Sequence, residues 1–269
     1  MPKRKAAKPK DPFELAQDPR FISGIYNYCD RWCERCPFTA RCMVYAMEEE
    51  DRNDPAARDL NNEAFWKKLA AIFARTNEML EKMAKEKGID LSDAESAGAE
   101  RQARQRQKRE ELANHELAKA SEEYADMVDA WFKSEQKLFE QKREELVTML
   151  ELEIGEDEPQ AVAARLTDAV EIIRWYQHQI HVKLMRGLMK FDPEEEPEDE
   201  AFPKDSDGSA KVALLGMDRS IAAWGALREH FPEKTDDILT LLLQLDRLRR
   251  KTEQHFPAAR SFKRPGFDD

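Results

Sequence analysis

The sequence predicts an all-α protein, a bundle of about five helices with a short cysteine-rich, metal-binding segment near the N-terminus. Three observations carry this expectation. Apolar residues recur at steps of three and four over long stretches, the period of a helix with one buried stripe. No stretch alternates apolar and polar residues as a half-buried strand does. All four cysteines lie within fourteen residues, Cys29 to Cys42, and the rest of the 269-residue chain has none.

The elements follow in order. Residues 1–12 are Lys, Arg, Pro and Ala without an apolar period and read as a basic tail. Residues 13–52 form the cysteine-rich segment, which Phe21, Tyr26, Tyr28, Trp32, Phe38 and Tyr45 equip to pack. Residues 53–256 make the bundle. Asp54-Pro55 offers an N-cap and a first helical position. Phe65, Leu69, Ile72, Thr76, Met79 and Met83 give the first helix a stripe to bury, and Gly88 ends it. Residues 92–110 contain no large apolar side chain, so they read as a polar linker or a solvated helical extension.

From Glu111 to Leu152, Leu117, Tyr124, Val128, Trp131, Leu138 and Leu146 predict one long amphipathic helix, stopped by Gly155 and Pro159. A third helix over residues 160–191 has Val162, Leu166, Ala169, Ile173, Tyr176, Ile180 and Leu184 on one seam, and Asp192-Pro193 closes it. Residues 192–208 read as an acidic, proline-broken surface loop. The fourth helix covers Ser209 to His230, where Ala213, Gly216, Ser220 and Ala223 form a ridge that lets a neighbour approach closely. Pro232 and Thr235-Asp236-Asp237 start the fifth, with Ile238, Leu241, Leu242, Leu245 and Leu248 as its apolar face. Its Arg247, Arg249, Arg250 and Lys251 complement the negative end of the helix dipole. Residues 257–269 read as a C-terminal tail.

Composition narrows the function. The chain carries a net charge of −11, and no apolar run approaches the ~20 residues of a membrane span. Its first residues, MPKRKAAKPK, place lysines and prolines where a signal peptide needs apolar ones, so a cytoplasmic location without membrane association is expected. The basic run Arg101, Arg104, Arg106, Lys108 and Arg109 is interleaved with Gln and has no aromatics for stacking, which fits a solvated face better than nucleic-acid binding. The expected partner is a protein, in the redox reading an electron donor or acceptor. No common enzyme signature is present: there is no GxSxG and no P-loop.

The cysteines are spaced Cys29-x3-Cys33-x2-Cys36-x5-Cys42, with Pro37 after the third. Four clustered thiols in a reducing compartment hold a metal more often than a disulfide framework. Zinc commonly joins two CxxC knuckles across a longer segment, and only one CxxC exists here. An iron–sulfur cube accepts thiolates from short, unequal spacings, so compactness favours a [4Fe–4S] cluster over Zn2+. Arg31, Arg35 and Arg41 lie among the cysteines, placed to offset a cluster's negative charge or to meet the acidic run after Met47.

Residues 33–47, CERCPFTARCMVYAM, resemble the CxxCPxxxxCxxYA segment of WhiB-like iron–sulfur proteins. The resemblance implies a [4Fe–4S] cluster on Cys33, Cys36 and Cys42, with Cys29 as the fourth ligand, although that family's remaining cysteine lies much further upstream. It covers about fifteen residues, and MEEEDRND stands where the family has a Gly- and Trp-rich turn and a basic tail. Ligation alone carries over, without the transcriptional role. Cys29, Cys33 and Cys36 also match the CxxxCxxC of radical S-adenosylmethionine enzymes, but the chain has neither the strand pattern nor a GxG that those enzymes need.

The leading functional expectation is therefore an iron–sulfur protein for electron transfer or redox sensing. A second is an interaction or adaptor protein held by structural zinc. A third is a helical oxidoreductase whose polar pocket joins Glu171, His178 and His181 of the third helix to Asp218 of the fourth, an acid surrounded by apolar residues and expected to be buried with a partner.

Overall fold

The computed structural model describes residues 15, 17–52, 59, 61–88, 94–154, 158–190 and 204–268. Among these, every regular element is helical. The basic tail 1–12, the Asp54-Pro55 start, Gly155, Asp192-Pro193 and most of the acidic loop lie outside the described residues. Among the described residues eight α-helices have assigned bounds, where about five were expected: α1 Met43–Arg52, α2 Glu63–Lys87, α3 Ala94–Ala113, α4 Glu116–Ser134, α5 Gln136–Glu151, α6 Pro159–Lys190, α7 Asp205–His230 and α8 Thr235–His255. None is long and apolar enough to cross a membrane.

The excess comes from local breaks. Residues expected to form one helix from Glu111 to Leu152 are interrupted twice. The His115 imidazole caps α4 by accepting from the Leu117 N–H at 3.2 Å, and Glu135, at φ −99° and ψ 17°, separates α4 from α5. The polar stretch 92–110 takes the helical-extension form as α3.

The chain divides into two compact units. One comprises residues 1–107 with 264–269, and the other residues 108–263. In the second, α4, α6, α7 and α8 close a four-helix ring: α6 packs on α4 and α7, and α8 packs on the same two, while α5 lies along α6. The α6 seam is buried at every expected position from Val162 to Leu184. The most extensive contact joins α6 to α7, where the ridge of Ala213, Gly216, Ser220 and Ala223 is buried. A Cβ on Gly216 would meet Tyr176 Cδ1 at 2.8 Å and Ile180 Cγ1 at 3.3 Å. Trp131, Phe132, Phe139, Trp224 and Phe231 form an aromatic cluster in which Trp131 meets Phe132, Phe139 and Trp224 edge-on, its centroid 4.9 Å from that of Trp224. Trp224 Nε1–H donates to Tyr124 Oη at 3.0 Å in full burial.

The segment after α8 is packed, not a loose tail. Phe256, Ala259 and Phe262 are buried, and the Phe256 ring lies against Gly187 of α6. In the first unit the α2 stripe differs from expectation. Ile72 is 52% exposed and Met83 38%, alongside exposed Trp66, Phe73 and Leu80. The α2 N-cap is Asn62, whose side chain accepts from the Ala64 N–H at 2.9 Å, and Gly88 ends the helix at φ 65°.

Two stability predictions follow from this packing. Gly216→Ala destabilises the fold by about 1–3 kcal/mol through overpacking against Tyr176, despite a helix-propensity gain of up to ~1 kcal/mol; chemical denaturation measures it. The rings of His115 and His255 sit 5.0 Å apart, beside Glu116, which Lys251 holds at 2.6 Å. Burial first, then His115, pushes the His255 pKa below the usual imidazole range. The fold thus prefers the neutral ring, so this stability is full above an unfolded pKa of 6.5 and is lost as pH falls below it. Melting temperature therefore drops between pH 7.5 and 5.5, and His255→Gln flattens part of that slope.

Candidate metal centre

The chain from Ile22 to Cys42 reverses in tight steps. Gly24 takes a left-handed φ of 73° before a 3-10 turn at Ile25–Asn27, and the Ile22 N–H donates to the Arg41 carbonyl at 3.0 Å, joining the two ends of the segment. Arg31, between Cys29 and Cys33, is also left-handed at φ 57°. Few non-glycine residues adopt that conformation, and it redirects the backbone where these two cysteines need it turned.

Two more 3-10 turns space the remaining thiols. In Cys33–Arg35 the Cys36 N–H donates to the Cys33 carbonyl at 3.2 Å, so these two cysteines open and close a single turn. Cys36 is then extended, at φ −83° and ψ 123°. Pro37 has no N–H, so the next donor is Phe38, whose N–H points to Cys36 Sγ at 3.4 Å. Thr39–Arg41 forms the second turn, closed by the Cys42 N–H to Thr39 at 3.2 Å. Cys42 accepts the Ala46 N–H at 3.1 Å and so stands at the start of α1.

All four cysteines line one cavity, walled by Tyr26, Trp32, Phe38 and Tyr45 and edged by Glu48. They are half-buried free thiols. Cys29 Sγ donates to the Tyr26 carbonyl at 3.5 Å. Burial, then the nearby Cys29, pushes the Cys33 thiol up. Among the described residues no three His, Cys, Asp or Glu side chains converge as ligands of one ion; the thiols share walls without closing on a common point. Two of the three arginines are engaged locally. Arg31 pairs with Glu48 at 3.3 Å, and Arg35 lies 4.1 Å above the Trp32 ring.

One contributor escaped the sequence reading. Phe267 lines the same cavity, its ring edge-on to Phe38 at 5.1 Å. Arg264 anchors it, stacked 4.7 Å over Phe267 and bound to Asp268 at 2.9 Å. Gly266, at φ 75°, lets the chain press on Ile22 and Ile25. The Pro265-Gly266 dipeptide, a turn signal, was the one available clue.

Glu171, His178, His181 and Asp218 do not assemble. His178 faces Gln177 at 2.8 Å and Asp129 at 3.8 Å, whereas His181 Nδ1 meets the buried Ser121 hydroxyl at 2.9 Å. Glu171 borders a groove along α5 and α6. Asp218 is an ion-pair residue, bound by Arg260 at 2.5 Å and Arg249 at 3.6 Å. Its side chain is 36% exposed, so the expected burial is corrected: of the apolar residues flanking it, Leu214 is buried, Leu215 and Ile221 are half-buried and Ala222 is exposed, and this face opens to the two arginines.

No protein-family model, curated protein or solved structure matches this chain.

Gly266→Ala forces a left-handed alanine against Ile22 at a cost of about 1 kcal/mol or more, a factor of about five in the local opening equilibrium. Native-state alkylation of the four thiols by iodoacetamide accelerates accordingly. An unchanged rate would show that Phe267 does not shield them.

Proposed function

We propose that Cys29, Cys33, Cys36 and Cys42 together bind one [4Fe–4S] cluster, and that the protein serves electron transfer or redox sensing. The observation that carries this reading is the single cavity that all four thiols line. The donor set suits the group, being four soft sulfurs with no disulfide among them. The Phe38 N–H directed at Cys36 Sγ supports it further, since hydrogen bonds to ligating sulfurs are among the features that tune such clusters. Aromatic walls reduce the exposure of the half-buried sulfurs, and solvent access is among the factors that tune a cluster's potential. When bound, the cluster supplies one-electron chemistry. Four cysteine ligands leave no iron corner for substrate, which favours moving or sensing electrons over converting a molecule. The likeness of residues 33–47 to WhiB-like segments supports the same ligands.

A second reading, structural Zn2+ in an interaction protein, draws on one feature. The Cys33–Cys36 turn, closed by the Cys36 N–H, is the kind of knuckle that zinc also uses. Metal and sulfide analysis of anaerobically purified protein separates the two. The cluster predicts a brown protein with about four irons and four sulfides per chain. Colourless protein with about one zinc selects the second reading, and protein free of both metals overturns the two together. Cys36→Ser and Cys42→Ser lose the metal, whereas Asp218→Asn retains it.

A further inference from the structure

In the bundle unit, helices α5 and α6 are joined through residues 152–158 and run back along each other, leaving a groove of about 450 Å³ between them. That volume is within the ~300–1,000 Å³ usual for small-ligand sites. Its lining is mostly apolar along both halves, with Leu146, Val147, Leu150, Ala163 and Leu166 toward the connection and Phe139 and Val170 toward the other end. Gln160 is the polar group near the connection, and Lys142, Arg143, Thr167 and Glu171 stand toward the other end. Lys142 is neutralised by Glu145 at 3.0 Å. Arg143 is exposed and has no ion pair among the described residues, so its guanidinium is open to an anion.

A largely apolar trough with an exposed guanidinium on its rim matches an alkyl chain that carries an anion. We propose that this groove binds a single-chain amphiphile with an anionic head, its alkyl tail along Leu146, Leu150 and Leu166 and its carboxylate at Arg143. Burial of the chain supplies affinity, and the guanidinium sets its direction. This site is independent of the cysteine cavity.

Calorimetric titration of the full chain with decanoate, below its micelle-forming concentration, tests the assignment. Saturable binding of one decanoate per chain is expected, with decanol and decyltrimethylammonium each weaker by about tenfold or more. Arg143→Glu weakens decanoate by about the same factor and leaves decanol unchanged. Ala163→Trp fills the trough and removes both; should that variant not fold, Val147→Arg on the exposed wall replaces it. Absence of saturation, equal affinity for the anionic and cationic amphiphiles, or binding indifferent to both groove variants overturns the proposal. So does sedimentation that shows a dimer broken by Val147→Arg, which would make a second copy the occupant.

Discussion

Thiols separated by two, three and five residues can face one space only if the backbone between them bends sharply, and that bending is the constraint on which the cysteine segment depends. Helix would scatter them: at 3.6 residues per turn, Cys29, Cys33 and Cys36 share a face, but Cys42 falls well off it. Extended chain would alternate them across two faces. The solution is a series of single 3-10 turns with extended residues after them, and one left-handed residue at Arg31. Pro37 contributes by what it lacks. With no N–H of its own, it leaves Phe38 as the first amide able to reach Cys36 Sγ.

The bundle rests on a different economy, close approach between helices. Gly216 and its small neighbours let α7 seat against the Tyr176 face of α6, so the extensive α6–α7 contact comes from missing side chains as much as from apolar ones. The aromatic cluster joins this packing, with Trp224 satisfying its N–H on Tyr124 inside the core. Burial of this network pushes the Tyr124 phenol far above its ordinary range, which keeps it a neutral hydrogen-bonding partner.

Legibility followed the physics of each element. The α6 helix was read almost to its ends because its seam repeats without interruption and every seam residue is buried. The Glu111–Leu152 stretch was misread because a stripe that stays in phase conceals a break; the signal was a histidine cap, weaker than the Ser, Thr, Asp and Asn caps that announce most helix starts. The α2 stripe was legible as a pattern, yet periodicity reports amphipathicity and not burial, and Ile72 and Met83 of the stripe remain exposed. The cysteines were singled out by their spacing and a short resemblance, and all four line one cavity. Phe267 was not, since its contact with Phe38 spans almost the whole chain and no local pattern encodes so distant a pairing.

The charges near the thiols argue for a weakly compensated centre. Three arginines among four cysteines suggest a cationic shell, but Arg31 is committed to Glu48, with both side chains about half exposed, and Arg35 to the Trp32 face. An exposed ion pair contributes little field at a neighbouring atom, because water screens it and its two charges oppose each other. Beside these side-chain charges stand fixed dipoles, the Phe38 amide on Cys36 and the start of α1 behind Cys42. Burial raises the Cys33 thiol against these dipoles, so this corner of the segment favours the protonated, metal-free form. In the proposed reading, binding must supply the free energy to ionise Cys33, and occupancy of the site then depends on the metal's affinity for all four sulfurs together.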